Sequence, residues 1–185
     1  MYELLFATNN AHKVQEIQPL MPEQIKVLSL KDAGINVEIE EPYPTLEENA
    51  IEKASVIRGV TGKNCFSEDT GLEVEALEGA PGVKSARYSG DKATHSENID
   101  LLLKNMEGCG NRSARFRTII ALHWNETMHL FEGICEGTII TERRGEDGFG
   151  YDPVFIPDGA EKTFGEMSAD EKARFSHRAK AIEKL

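Results

Sequence analysis

Two adjacent carboxylates, Glu68 and Asp69, interrupt an otherwise apolar stretch of the sequence and are followed by Thr70 and Gly71. The apolar residues on either side predict buried β structure that carries both acids to the edge of a core, where an uncompensated charge is costly. Carboxylate oxygens suit Mg²⁺ or Mn²⁺ rather than zinc. The stretch therefore predicts a divalent-metal site, with Gly71 letting the backbone turn tightly beside it. A solvated turn between two strands is the alternative interpretation.

A polar turn near the N-terminus could bind phosphates. Residues 2–7 predict a buried strand, and apolar residues at helical spacing predict a helix after it. Thr8, Asn9, Asn10 and Lys13 lie where that helix would begin, and the free N–H groups of a helix N-terminus attract anions. Asparagine is also an ordinary helix cap and Lys13 an ordinary surface lysine, and the sequence has no Walker-type glycine loop.

A second helix carries a lysine that could face a ligand. The pattern from Thr45 to Glu48 matches a capping box and predicts a helix that ends near Gly59. Asn49 and Lys53 are four residues apart, so their side chains would lie on one side of this helix. A solvated face is the alternative. The acidic segment before the helix contains two prolines and predicts a loop.

An aromatic residue between two glycines could offer its face to a planar ligand. Phe149 lies between Gly148 and Gly150, and Asp152 is close enough to accept a hydrogen bond from the edge of a base. An aromatic turn entering a strand is the alternative. Further along the chain, a capping box that begins at Ser168 predicts a helix that carries Lys172 and runs toward Ser176, His177 and Arg178, although a basic helix end is usually solvated.

The remaining patterns predict the scaffold. Residues 26–28 predict a short strand, and the capping box that begins at Thr94 predicts a structural helix ended by the turn at 108–110. The runs 115–124 and 128–136 are strand-like and are separated by a short polar turn, which predicts an antiparallel hairpin. Together with the first strand and helix, this hairpin predicts a mixed sheet.

Composition narrows the class of protein. The 185 residues fit one domain, and a formal charge of −11 argues against broad binding of nucleic acid or an anionic membrane. The three cysteines, Cys65, Cys109 and Cys135, are odd in number and widely spaced, which favours reduced thiols. Neither a signal peptide nor a membrane span is evident. We therefore expect a cytoplasmic protein.

Taken together, these residues supply carboxylates for a metal, lysines for phosphates and an aromatic for a base, which are the parts of a nucleotide site. In these residues the sequence resembles the inosine triphosphatase family, the noncanonical purine nucleoside triphosphate pyrophosphatases. Six motifs carry the resemblance in order over nearly the whole chain: Thr8-Asn9-Asn10-Ala11-His12-Lys13, Glu48-Asn49-Ala50, Asp69-Thr70-Gly71-Leu72, Gly82-Val83-Lys84-Ser85-Ala86-Arg87-Tyr88-Ser89-Gly90, Gly148-Phe149-Gly150-Tyr151-Asp152-Pro153 and Ser176-His177-Arg178.

The resemblance implies an enzyme that hydrolyses ITP, dITP and XTP to the monophosphate and pyrophosphate with Mg²⁺, acting as a homodimer on a small-molecule nucleotide. It implies an α/β fold, a long twisted mixed β-sheet with flanking helices and two lobes around an active-site cleft, in a single domain over residues 1–185. The competing hypotheses are a nucleotide-binding module without turnover, and an enzyme that hydrolyses a modified pyrimidine triphosphate or a general range of triphosphates.

The resemblance also implies roles for individual residues. Asp69 would be the catalytic carboxylate and a metal ligand, together with Glu40 or Glu41. Because Pro42 to Pro44 replace the usual glycine-containing turn after this acidic pair, either glutamate could face the metal. The substrate would be bound by a larger set: Thr8, Asn9, Asn10, Ala11, His12, Lys13, Lys53 and Thr70 near the triphosphate, and Phe149, Gly150, Tyr151, Asp152, Lys172, His177 and Arg178 at the base.

Convergence of the last three base-site residues requires a break in the chain. On one unbroken helix, Lys172, His177 and Arg178 would point in different directions, because successive residues are rotated by about 100°. We therefore predict that the helix breaks near Ser176 and that a separate final helix runs through Ile182.

Overall fold

The computed structural model describes residues 1–185, which divide into two compact units. The first unit comprises Met1–Asp69, Thr118–Gly133 and Arg178–Leu185. The second comprises Thr70–Arg117 and Ile134–His177. No helix of the chain combines the length and the hydropathy needed to cross a bilayer.

Seven strands form one mixed sheet. Their bounds are β1 Tyr2–Phe6, β2 Ile25–Ser29, β3 Cys65–Val74, β4 Pro81–Gly82, β5 Ser113–Trp124, β6 Thr127–Ile139 and β7 Phe155–Pro157. The order is β2-β1-β3-β5-β6-β7, with β4 paired to β3. β1 is parallel to both β2 and β3, whereas β4 is antiparallel to β3 and β7 to β6. The predicted mixed α/β fold is confirmed.

Five α-helices accompany the sheet: α1 Ala11–Ile17, α2 Leu46–Thr61, α3 His95–Asn105, α4 Ala169–Ala173 and α5 His177–Ile182. Thr94 and Ser168 each cap a helix in the predicted capping box. The predicted helix end near Gly59 is wrong. α2 continues to Thr61 and is capped by Gly62 at φ 65, because the left-handed conformation that closes a helix forms there.

The predicted break in the last helical segment is confirmed. α4 ends at Ala173, and a new helix begins at His177 and ends at Ile182.

The predicted hairpin is also present, since only Asn125 and Glu126 separate β5 from β6 and a connection of two residues can join only antiparallel strands. Asn125 has φ 52, a conformation that asparagine tolerates in such tight turns.

The predicted turn at the paired carboxylates is wrong. β3 runs without interruption from Cys65 to Val74, so Glu68 and Asp69 lie in the middle of a strand. Gly71 does not turn the chain there. A Cβ at Gly71 would lie 2.7 Å from the carbonyl oxygen of Gly82 on β4, so glycine is needed for close strand packing.

Each unit has its own apolar core. In the first unit, Phe6 of β1 stacks on Phe66 of β3 with ring centroids 4.3 Å apart, beside Ile17 of α1 and Ile182 of α5. In the second unit, Leu72 of β3 packs in a cluster with Leu102 of α3, Phe116 of β5, Phe155 of β7 and Phe164 of the 3-10 turn that follows β7. β3 therefore carries Glu68 and Asp69 on a strand that is anchored by buried side chains.

Candidate functional site

Lys53 of α2 lies between two carboxylates in the first unit. Its Nζ is 3.0 Å from Oδ1 of Asp69 and also donates to Oε1 of Glu41. A third hydrogen bond, of 3.0 Å, goes to the main-chain carbonyl of Glu68. Lys53 is 6% exposed and Asp69 8% exposed. Within this cluster, the ammonium and the Asp69 carboxylate are thus largely removed from water, whereas the Glu41 side chain is 31% exposed.

Burial and charge act against each other in this cluster. Burial raises the pKa of Asp69, the Lys53 charge opposes that rise, and Glu41 reinforces it. Burial alone would lower the pKa of Lys53, but attraction to Asp69 and Glu41 outweighs it and raises the pKa above its ordinary value. Lys53 therefore stays charged at neutral pH, whereas Asp69 takes up a proton more readily than an exposed aspartate does.

Asn49 holds the loop that carries Glu41. The prediction that it faces a ligand or solvent is not confirmed, since Asn49 is 1% exposed and its carboxamide bonds both polar groups of the Tyr43 main chain. Those hydrogen bonds are 3.0 and 3.1 Å long. Glu41 is therefore brought to Lys53 by a fixed loop, whereas Glu40 is exposed. Of the two glutamates left open by the sequence, Glu41 is the one beside Asp69.

A second ion cluster surrounds Glu68. Arg178 of α5 donates to both Glu68 oxygens, at 2.9 and 2.8 Å, and Lys13 Nζ of α1 lies 3.6 Å from the same carboxylate. Arg178 also donates to Glu16 of α1 at 2.9 Å. The Glu68 and Arg178 side chains are 0% and 3% exposed. Burial lowers the pKa of Lys13, and Glu68 counteracts that shift.

The polar turn before α1 is closed by Asn10. Its Oδ1 accepts hydrogen bonds from the main-chain N–H groups of His12 and Lys13, at 3.0 and 3.4 Å, and its own N–H donates to Thr8 Oγ1 at 3.1 Å. Asn10 is thus the helix cap, which was the alternative interpretation of this residue. Three of the predicted phosphate-binding residues, Asn9, Ala11 and His12, are exposed around it.

The side chains in the first unit fit a hard divalent cation. No group of three or more potential metal-ligating side chains is assembled in the chain. Mg²⁺ commonly takes only one or two protein carboxylates and completes its coordination with water and substrate phosphates. Asp69 and Glu41 are two such carboxylates, and the Lys53 ammonium between them demonstrates that positive charge is favoured at that point.

A third group of predicted residues assembles in the second unit. Lys172 of α4 donates to Asp152 Oδ2 at 2.6 Å, and the main-chain N–H of Phe149 donates to the same oxygen at 2.8 Å. The Lys172 ammonium lies 5.2 Å from the ring centroids of Phe149 and of Phe164. Asp152 and Lys172 are 3% and 6% exposed. The predicted proximity of Phe149, Asp152 and Lys172 is therefore confirmed.

Other predicted residues of this unit have structural contacts. The Tyr151 hydroxyl donates to the carbonyl of Ser85 at 2.8 Å, and burial raises the pKa of this phenol. His177 is 1% exposed and stacks on Phe116 with centroids 4.8 Å apart. Thr70 is half-buried in β3. Gly150 donates its N–H to His95 Nδ1 at 3.1 Å.

Arg178 has carboxylate partners that the sequence did not predict. Its ion pairs are with Glu68 and Glu16, so its assignment to base recognition stays a prediction. Glu16 and His95 were not identified from the sequence. Glu16 lies three residues after Lys13 on the same helix, a spacing that could have suggested a shared face, whereas no pattern distinguishes His95 from an ordinary exposed histidine.

The whole chain is similar to proteins of one family. The model of the Ham1 family matches residues 4–185. A relative from Christiangramia forsetii named dITP/XTP pyrophosphatase is 49% identical over 183 residues, which cover 99% of this chain and 96% of the relative. A relative of the same name from Porphyromonas gingivalis is 46% identical over 186 residues, with coverage of 100% and 96%.

Solved structures agree with this similarity. A HAM1 protein from Coxiella burnetii superposes with a TM-score of 0.90 at 38% identity, covering 100% of this chain and 96% of that one. The Ham1 protein of Staphylococcus aureus gives a TM-score of 0.89 at 34% identity, with the same coverage.

Proposed function

Since this chain belongs to the Ham1 family, we propose that it hydrolyses noncanonical purine nucleoside triphosphates, of which dITP, XTP and ITP are examples, to the monophosphate and pyrophosphate. The relatives that cover the whole chain bear the name dITP/XTP pyrophosphatase. Hydrolysis of an acid anhydride is the reaction class that this name describes.

The observation that carries the proposal is the pair of ion clusters on β3. Asp69 and Glu68 are adjacent and buried, and each is paired with lysine or arginine from a helix of the first unit. A protein with a formal charge of −11 can bind a polyanionic triphosphate only where its cations are concentrated. Lys13 and Lys53 supply that concentration, and we assign them to the phosphates.

Mg²⁺ is the cofactor that these side chains fit. Asp69 and Glu41 would hold it, and when bound it would neutralise charge that develops on the phosphates. Asp69 would also accept a proton from the attacking water or orient that water toward the α-phosphorus. Asp69 is 8% exposed and lies 3.0 Å from the Lys53 ammonium, so a cation beside it favours the ionised form that either role requires.

Base recognition is assigned to the group in the second unit. The Phe149 ring would stack on the purine, and Lys172 would donate to an acceptor oxygen at purine position 6. Asp152 keeps the Lys172 ammonium in place. Adenine has an amino donor at position 6, so a buried donor would face another donor there and ATP would be rejected. We assign His177, of the same unit, to this recognition as well. For Arg178 a role at the base stays a prediction, because its guanidinium pairs with Glu68 and Glu16.

The test is release of pyrophosphate from dITP, XTP and ITP, compared with dATP, dGTP and dUTP, with Mg²⁺ or with EDTA. We expect rapid release from the first three with Mg²⁺ and little release from the others. Binding of dITP without release of pyrophosphate would instead identify a nucleotide-binding module. Equal rates for dUTP would contradict the assignment of a purine pocket.

We further propose a homodimer that acts in the cytoplasm, where the nucleotide pool is used. Three cysteines without disulfide bonds are consistent with a reducing compartment. Size-exclusion chromatography with light scattering would give the mass in solution. A mass near 20.5 kDa, which is that of one chain, would contradict the dimer.

A further inference from the structure

The segment Gly148–Asp152 places the aromatic ring that we assign to the base. Gly148 and Gly150 have φ values of 78 and 63, a backbone conformation that favours glycine, and they flank Phe149 on both sides. Glycine does not restrict the backbone by itself. The orientation of Phe149 therefore depends on the hydrogen bonds that hold this segment.

Two of these hydrogen bonds lie within the segment, and others come from elsewhere in the second unit. Phe149 N–H donates to Asp152 Oδ2 at 2.8 Å, and Asp152 N–H donates to the Phe149 carbonyl at 3.3 Å. From outside, Lys172 donates to Asp152 Oδ2 at 2.6 Å and the Ser85 carbonyl accepts from the Tyr151 hydroxyl, both at side chains of the segment. His95 instead accepts from the main-chain N–H of Gly150, at 3.1 Å. His95 thus provides the outside contact to the main chain next to Phe149.

His95 stands at a fixed position beside Phe149. It is the first residue of α3, and the capping box of Thr94 and Glu97 fixes the start of that helix. Its ring centroid lies 6.2 Å from that of Phe149, with the ring planes tilted by 41°. Nδ1 is the acceptor of the hydrogen bond from Gly150. The same imidazole thus contacts both the backbone and the side chain of the segment.

We propose that His95 is a positioning residue that sets the orientation of Phe149 for the purine base, by accepting the Gly150 N–H and packing beside the Phe149 ring. The role in base binding rests on the proposed function, whereas the contact with Gly150 does not. His95 does not take part in the chemistry, so its loss should weaken substrate binding and leave the chemical step unchanged.

Two substitutions at position 95 distinguish the effect of losing the hydrogen-bond acceptor from the effect of losing the imidazole ring. His95→Leu removes the acceptor, whereas His95→Asn places a carboxamide oxygen on Cγ, where the imidazole has Nδ1. Position 95 is exposed and the Thr94 and Glu97 capping groups are untouched, so both variants should fold. His129→Leu is the matched control, because His129 is an exposed histidine of β6 that stacks on Phe131 instead.

The measurements are steady-state kinetics with dITP and hydrogen exchange of the Gly150 amide. His95→Leu should raise KM about three- to tenfold, the range for one lost neutral hydrogen bond, with kcat within about twofold of wild type. It should also speed exchange at Gly150. His95→Asn should restore both values, and His129→Leu should change neither.

Two outcomes would overturn the proposal. One is a His95→Leu variant with normal KM and normal Gly150 exchange. The other is a His95→Asn variant that behaves like His95→Leu, since the acceptor would then not be the feature that matters. These outcomes are distinct from failure of the proposed function, which would be seen as no release of pyrophosphate from dITP by the wild-type protein.

Discussion

Asp69 is the residue on which the proposed chemistry depends. A carboxylate in a desolvated position normally becomes neutral, but here an ammonium at 3.0 Å favours the charged form. The result is a carboxyl whose pKa lies above its ordinary value and whose ionised form still has a cationic partner. A second cation at this carboxylate, such as a bound divalent metal, would favour the ionised form further.

We predict that Asp69→Asn abolishes turnover and preserves the fold. Asparagine keeps the shape of the side chain but can neither accept a proton nor supply a charge to a metal. The loss should be at least about 10²-fold in kcat, the usual cost of removing one general base or electrostatic contribution. Pyrophosphate release and thermal unfolding, both measured against wild type, check the two halves of the prediction.

Asp91→Asn is the matched control, because Asp91 is exposed on the surface of the second unit. It should retain full activity. An Asp69→Asn enzyme within a few-fold of wild type would show that Asp69 is neither the base nor a necessary metal ligand.

Among single residues, the sequence identified those whose local pattern is unusual. Adjacent carboxylates between apolar runs are rare, so Glu68 and Asp69 were found directly. Helix patterns located Lys53 and Lys172, and the resemblance gave them roles. The partner of Glu16 could not be found, because Arg178 is 162 positions away and such a contact leaves no local pattern. His95 was missed for the same reason, since Gly150 is 55 positions away.

Three elements of the first unit are joined by one buried ion network. Glu68 of β3 receives Lys13 from α1 and Arg178 from α5, and Glu16 of α1 accepts from the same arginine. The break after α4 starts a new helix at His177, so the rotation of Arg178 about the helix axis is not set by a helix continued from Lys172. The break itself was predicted from helix geometry.

Two element boundaries were not predicted, and the reasons are physical. Gly59 seemed to end α2, but a glycine within a helix costs only about 1 kcal/mol, and the left-handed cap forms at Gly62 instead. β3 continues through Glu68 and Asp69 because both charges are compensated by side chains from helices distant in the sequence. A local reading of the sequence could not include those partners.

We predict that Arg178→Met strongly destabilises the protein. The substitution removes both guanidinium hydrogen bonds from the Glu68 carboxylate, which is 0% exposed, whereas the Lys13 ammonium on α1 lies farther away, at 3.6 Å. Breaking a buried ion pair by removing one partner costs about 3–5 kcal/mol, because an uncompensated charge remains. Urea unfolding would measure the loss, and Arg174→Met, at an exposed arginine just after α4, is the matched control.

A double-mutant cycle tests the cause of this loss. When Glu68→Leu is added to Arg178→Met, the buried charge disappears with its partner, so the double variant should be more stable than Arg178→Met alone. A double variant that loses the sum of the two single effects would show that the arginine stabilises α5 by packing and not by pairing with Glu68.

On the scale of the whole molecule, the sequence predicted the fold class and the mixed sheet correctly. Strand and helix periodicity are local properties, and the hairpin and capping boxes follow from short patterns. The division into two units could not be derived in the same way. The first unit is built from three separate stretches of chain and the second from two, so the packing that defines them depends on long-range contacts.

The charge of the whole chain leads to the last prediction, which concerns ligand and metal together. A chain of formal charge −11 repels a free triphosphate over most of its surface, so binding should depend on Mg²⁺ as well as on Lys13 and Lys53. We expect α,β-imido-dITP, which resists hydrolysis, to stabilise the folded chain by about 2.7 kcal/mol at 100 times its Kd. For a chain of this size that corresponds to a rise of roughly 5–10 °C in Tm. Thermal unfolding with the analogue measures this rise in Tm, once with Mg²⁺ and once with EDTA. Deoxyinosine at the concentration of the analogue, with Mg²⁺, is the control that lacks phosphates. The rise should be largest for the analogue with Mg²⁺ and much smaller in the other two conditions. An equal rise with deoxyinosine would mean that the base supplies the binding energy and that the buried lysines of the first unit do not hold phosphates.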